Sequence, residues 1–371
     1  MVAKSITVKV PGKLMIAGEF AVLEPYQDLA VMAVNRFVYA NVSDADSYQL
    51  TLSDFSLHNI PWSWRETDIH IESGDPRLSF VKEALRVTYR YLEEQGLPIR
   101  PMHVSTRSEL DDTSGVKYGL GSSAAIVTSI VAGVLHFQAP KLAEKDTIFR
   151  LAALSHVLIQ GNGSGADVAA STYGGLRQFS SFQADWLLKT YKEAESISEV
   201  VNKDWKYYKS KPISLPENVY FCVGWTGNAA STKDLVNRVR LLKVSNAEAY
   251  NKFLEDSKNA VSNFLTGAEN GDLSQLFQGI KANRKALDQV GKAADTSIET
   301  PDLALLCKLA EKLGGAGKPS GAGGGDCGIA FMPSEETAKK LALAWEKEGI
   351  KALTISPSIS GEMVIEENDS I

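Results

Sequence analysis

The segment that starts at residue 122, "SSAAIVTSIVAGVLHF", is apolar almost all the way round, and that limits what the chain can fold into. A helix with no polar face is expected to be internal, covered on every side. Directly before it stands "YGLG", so Gly119, Leu120, Gly121, Ser122, Ser123 and Ala124 open straight into this helix. A helix start leaves about four backbone N–H groups unpaired and carries roughly half a positive charge. Glycines let a phosphate approach that backbone closely, and the serines add hydroxyls for phosphate oxygens or Mg²⁺. Two readings stand: an anion cradle, or an ordinary serine-capped helix after a flexible turn. The loop has no lysine where a Walker A loop keeps one, so a cradle here needs a cation from another segment.

Two further glycine loops raise the same question. In "GGAGKPSGAGGGD", Lys312 stands in the place of the first Walker A glycine and Pro319 follows the lysine, so no phosphate-loop helix follows from it. Its seven glycines between residues 314 and 325 make a backbone able to fold tightly against a ligand, and the apolar strand "CGIAFM" after it favours a site over a connector. The loop between these two in the chain, "GNGSGADVAAS", puts Asp167 in the first turn of a helix, where an acid serves equally as a dipole partner or cap.

Along the chain, residues 6–10, 29–42 and 48–57 read as strands, 77–95 as a helix stopped by Gly96 and Pro98, and "RPMHVST" as a strand. The internal helix runs to about Phe137. "DTIFRLAALSHVLIQ" and "ADVAASTY" are helical, and residues 185–211 read as an irregular connector. After Pro216 come the strand "NVYFCVGW", three helices between 247 and 313, a glycine-dense loop at 314–325, a strand, the helix "SEETAKKLALAWEKEG" and two final strands. This is an α+β order.

Length and composition set the function classes. At 371 residues, two domains are expected. A net charge of −6 argues against nucleic-acid binding, and no window is apolar enough for a membrane span. The chain starts directly in strand-like alternation, without the apolar core of a signal peptide. Its three cysteines, Cys222, Cys307 and Cys327, lack metal-ligand spacing, and the five histidines are unpaired, against a zinc site. The expectation is a cytoplasmic protein with small-molecule partners.

In order and spacing, "PGKLMIAGEFAVL", "GLGSSAAIVTS" and "KPSGAGGGDCGIA" resemble the three signature motifs of the GHMP kinases, over nearly the whole chain. "AGEFAVLEP", "KYGLGSS", "GNGSGADVAAS", "VGWTGNAAST" and "SGAGGGDCGIA" are most similar to the phosphomevalonate kinase branch of that superfamily. The resemblance implies an ATP-binding domain at 1–210, a ferredoxin-like α-β sandwich at 211–371, and an active site in the cleft between them. It implies transfer of the γ-phosphoryl group of Mg-ATP to 5-phosphomevalonate, with Mg²⁺ arriving only with ATP, in a monomer or homodimer. The alternatives are a mevalonate kinase, with an alcohol acceptor, and a non-catalytic sensor on the same scaffold.

By the same resemblance, Gly119, Leu120, Gly121, Ser122, Ser123 and Ala124 wrap the phosphates, with Ser122 or Ser123 near the metal. Lys13 and Asp167 match the family's lysine–aspartate pair. Glu19, Ser164, Ser320, Gly321, Ala322 and Gly323 fall where members contact the acceptor. Lys117 either reaches the phosphates or is a solvated loop lysine. Ser231 and Thr232, in a strand-to-helix turn, are acceptor candidates or helix caps, and Lys9 and Lys233 are candidate cations or surface charges. "HNIPWSW" (58–64) and the loop before Lys117 are adenine-pocket candidates against a packing role. A phosphate acceptor is largely unprotonated at neutral pH, its second pKa being about 6. Asp167 is then expected to orient Lys13 rather than act as a base.

Overall fold

The computed structural model describes residues 4–112, 116–227 and 232–365. Two long strands, β1 (Ser5–Ala17) and β2 (Asp28–Asp44), begin the chain, followed by β3 (Gln49–Leu52), β4 (Leu57–Arg65) and β5 (Asp68–Ile71). Next come α1 (Ser79–Glu94), β6 (Met102–Ser108), α2 (Ser122–Gln138), α3 (Lys145–Gln160), α4 (Ala166–Tyr173) and β7 (Leu176–Ser180). The middle holds α5 (Ala184–Glu193), α6 (Ile197–Asn202), β8 (Lys209–Ile213) and β9 (Tyr220–Trp225). Four helices follow: α7 (Thr232–Ser245), α8 (Ala247–Asn270), α9 (Leu273–Ala293) and α10 (Pro301–Lys312). The last elements are β10 (Ala316–Pro319), β11 (Cys327–Met332), α11 (Glu335–Lys347), β12 (Lys351–Leu353) and β13 (Met363–Ile365).

One nine-stranded sheet runs β13-β1-β2-β6-β3-β4-β5, with β7 pairing the first part of β2 and β8 pairing β7. Its pairs are antiparallel except β3 with β6. Helix α2 lies against β1 and β2 and is covered by α1, α3 and α4. Val127, Ile130, Val131, Val134 and Leu135 are all fully buried, which is the internal helix its sequence demands. The second sheet has the order β10-β11-β9-β12, all antiparallel. On one face Trp345 of α11 donates its Nε1–H to Leu306 O of α10 at 3.1 Å; on the other Phe264 of α8 packs on Phe331 at 5.6 Å between ring centres. The fold is therefore the expected α+β type, with a sandwich in the second half. The hairpin of α8 and α9 touches both β1 and the second sheet, and β13 rejoins the first sheet beside β1. Among the described residues, no helix is long and apolar enough to cross a membrane.

Two expectations need correction. Residues 185–211 are not an irregular connector, because their charges are interrupted by side chains that the core takes up. Leu187, Ile197, Val200 and Trp205 are buried, and the Trp205 ring meets Phe182 at 4.9 Å while its Nε1–H donates to Val200 O at 3.0 Å. The glycine-dense stretch at 314–325 is also not a loop throughout. Its first part is strand β10, packed so closely on α10 that a Cβ at Gly317 would stand 3.1 Å from Cys307 Cα.

Candidate active site

Gly121 is the N-cap of α2, held at φ 78° with no side-chain cap. Ser122 and Ser123 are thus the first helical residues rather than caps, and no side chain caps the helix start. That geometry sets the serine-cap reading aside. A side chain at position 121 is strained by the left-handed backbone and crowded by Lys13, whose Cε and Cγ lie 3.0 and 3.1 Å from where a Cβ would stand.

Lys13 comes from β1 and is 8% exposed. Its backbone N–H donates to Leu120 O at 2.8 Å, and its Nζ donates to Gly119 O at 3.2 Å. The cation missing from the loop is therefore delivered by another strand. Leu120 and Ala124 are buried in the core. Ser123 Oγ bonds His156 Nε2 of α3 at 3.1 Å, and the His156 ring stacks on Phe80 at 5.2 Å and 28°. Sequence reasoning passed over this buried histidine, since a lone one among apolar neighbours has no spacing signal. The Ser122 hydroxyl has no hydrogen-bond partner among the described residues. Lys117 is exposed and sits opposite Asp111 in an isolated bridge.

Asp167 lies half-buried in the first turn of α4, where Oδ1 accepts from Val168 N–H at 3.0 Å. Ser171, one turn later, donates its hydroxyl to Pro11 O at 2.8 Å. Beyond it Glu362 N–H donates to Thr172 O at 3.2 Å, and Met363 pairs with Lys9. Helix α4 thus packs against β1. Among the described residues no ion pair joins Lys13 to Asp167; each is held separately, by Gly119 and by Val168. Ser164 Oγ accepts from Ala166 N–H at 3.3 Å.

The third glycine loop in chain order, before β11, docks on the start of α2 and on residues 15–19. Cys327 Sγ donates to Tyr118 O at 3.1 Å, and Asp326 Oδ2 stands 2.8 Å from where a Cβ on Gly119 would be, a contact only glycine permits. Ser320 N–H donates to Cys327 O at 3.0 Å and its Oγ donates to Met15 O at 2.9 Å, so both are engaged inside the protein. Glu19 is 4% exposed and paired with Lys318 at 2.5 Å; Gly321 N–H donates to it at 3.3 Å. The N–H groups of Ala322 and Gly323 make no hydrogen bond among the described residues. Ser231 and the side chains of Thr232 and Lys233 lie outside the described residues. Lys9 lies over the Phe37 ring at 4.0 Å.

Residues 79–175 match the GHMP kinases N terminal domain, and residues 264–351 match the GHMP kinases C terminal family. The phosphomevalonate kinase of Streptomyces sp. (strain CL190) is 32% identical, over 96% of this chain and 98% of that protein. The chain belongs to the GHMP kinases. Among solved structures, a Listeria innocua protein superposes with a TM-score of 0.92 at 33% identity, covering 98% of this chain and 100% of that one. Streptococcus pneumoniae phosphomevalonate kinase in complex with phosphomevalonate and AMPPNP superposes at 0.83 with 26% identity, covering 95% and 99%.

In this GHMP kinase the stretch "HNIPWSW" is strand β4, and its tryptophans are packing residues. Trp62 meets Tyr48 and Tyr89 at 4.5 and 5.4 Å, and Trp64 meets Tyr89 at 5.6 Å. None of the GHMP kinase thiols is activated. Burial pushes Cys222 up to about 11 and Cys307 up to about 12; Cys327 is raised further, by burial first and then by the Asp326 charge.

Proposed function

We propose that this chain transfers the γ-phosphoryl group of ATP to (R)-5-phosphomevalonate, giving 5-diphosphomevalonate and ADP in the mevalonate route to isoprenoid precursors. The observation that carries the reading is the Lys13 ammonium bonded to Gly119 O at the mouth of an uncapped helix start. Support for the acceptor comes from the Streptomyces relative and from the pneumococcal enzyme, whose complex holds phosphomevalonate and AMPPNP.

Phosphoryl transfer asks mainly for positioning and charge stabilisation. In this reading the first-turn amides of α2 hold the triphosphate, together with Ser122. Lys13 draws two mutually repelling phosphates together and follows the charge as it moves to the transferred group. Asp167, oriented by Val168 N–H, sets the direction of that ammonium. The acceptor's phosphate oxygen is already largely deprotonated above pH ~6 and needs no base. Mg²⁺, when bound, neutralises charge on the nucleotide phosphates. The residues fit such a metal: the Ser122 hydroxyl, unpartnered among the described residues, would be one ligand, and among the described residues no cluster of three or more His, Cys, Asp or Glu forms a cage of its own. A cation that comes mostly hydrated on ATP needs no more than that. Glu19, by contrast, acts through the loop it binds. The division we place near residue 210, the monomer or homodimer and the cytoplasmic location belong to the same reading.

ADP release from Mg-ATP, with either mevalonate or its 5-phosphate, tests the assignment. The expected result is turnover with the phosphate ester, falling below pH ~6 as that ester takes up its second proton. Preference for unphosphorylated mevalonate would make the protein a mevalonate kinase, and binding without ADP release would make it a sensor.

A further inference from the structure

Lys318 is a lysine with no access to water at all, 0% exposed, and its ammonium meets the Glu19 carboxylate at 2.5 Å. Burying two charges costs several kcal/mol per ion, which attraction offsets only when every remaining donor and acceptor is met. Here they are met. Lys318 Nζ also donates to Pro319 O at 2.5 Å, and Glu19 Oε1 also accepts from Gly321 N–H at 3.3 Å. Asn283 of α9 completes the cluster. With its amide nitrogen turned to the carboxylate, as its neighbours require, it donates to Glu19 Oε2 at 3.1 Å and accepts from Gly18 N–H at 3.2 Å.

Three segments far apart in sequence meet in this neutral knot: the turn after β1, the middle of α9, and the start of the third glycine loop. Nothing in it is placed to touch a phosphate, because its charges cancel and its atoms are enclosed. What it controls is direction. Glu19 draws Gly321 N–H inward, Ser320 Oγ is tied to Met15 O, and Gly324 N–H donates to Ile298 O at 2.8 Å. Among the described residues, the loop's unengaged amides between those tethers are those of Ala322 and Gly323.

We propose that Glu19, Lys318 and Asn283 are positioning residues that set the Ala322 and Gly323 N–H groups toward the acceptor's phosphate. This rests on the phosphomevalonate kinase reading for the identity of that acceptor. An ionic knot suits the task because its several bonds fix orientation, whereas apolar contact in the same volume fixes only distance.

The same physics supplies the test. Replacing one partner of a buried pair strands the other, but replacing both by apolar residues of similar volume is often neutral for stability. The variant Lys318→Met is expected to melt well below wild type, and Glu19→Leu/Lys318→Met to melt within about 5 °C of it. In the double variant the KM for phosphomevalonate rises about tenfold or more while the KM for ATP changes less than about threefold. A well-folded double variant with wild-type acceptor KM overturns the proposal, since the knot then serves folding alone. Should the double variant not fold, Asn283→Ala decides: a rise of about threefold confined to the acceptor KM supports positioning, and unchanged KM values at a lowered Tm refute it. If wild-type protein releases no ADP from phosphomevalonate, the functional reading fails and the acceptor named here goes with it. Wild-type turnover beside an unaffected double variant sinks the positioning role alone.

Discussion

Ser123 and His156 show how one buried contact shapes the cradle. The imidazole is clamped against Phe80 and meets the serine hydroxyl at 3.1 Å, which fixes where Ser123 points. His156→Phe keeps the stacking and removes the partner, so the KM for Mg-ATP is expected to rise about tenfold, with a stability loss near 1 kcal/mol; steady-state kinetics and a urea melt check both. The cysteines carry an opposite expectation. With every thiol pushed above the usual range by burial, iodoacetamide at pH 7.5 is expected to leave activity unchanged over hours. Rapid inactivation with label on Cys327 would show that the third loop opens in solution. At this scale the sequence was readable wherever a residue sat in a motif, as with Lys13 and Asp167. It was silent on His156 and Asn283, and on the pairing of the motif lysine Lys318 with Glu19, because these partners lie 33 to 299 positions away and leave no local pattern.

At the scale of elements, the start of α2 depends on a backbone that only glycine takes without strain. Gly121→Ala sets a side chain at φ 78° and against the Lys13 stem. The strain costs about 1–2 kcal/mol, and the displaced ammonium is expected to lower kcat as well as Tm. A change in Tm alone would mean that Lys13 does not need this approach. Periodicity exposed several elements here: an all-round apolar helix can only be α2, and residues 6–10 alternate as the start of β1, although the rest of β1 and the first half of β2 are buried on both faces. It failed where burial is not periodic. Short helices α5 and α6 bury a few large side chains among many charges, and β10 is a four-residue strand, "AGKP", too short to show a period and buried by its packing on α10.

Across the whole molecule, the site is assembled from both halves: β1, α2 and α4 lie on the first sheet, and the third loop belongs to the second. A ligand that binds such a junction stabilises both. Mg-AMPPNP at 100 times its Kd is expected to add about 2.7 kcal/mol to the unfolding free energy, and calorimetry is expected to show one transition moving upward as a unit. Two transitions, with one unmoved, would mean that the second half takes no part in nucleotide binding. The ordered glycine motifs made the two-part kinase architecture readable from sequence, but not the return of β13 to β1, because three short residues carry no signal for a partner more than 350 positions away. The account as a whole rests on the Lys13 ammonium, rather than a carboxylate base, carrying the transfer. Turnover of Lys13→Met and Asp167→Asn on phosphomevalonate measures that directly. The lysine variant is predicted to lose roughly 10³-fold in kcat and the aspartate variant far less; a larger loss on the aspartate side would contradict it.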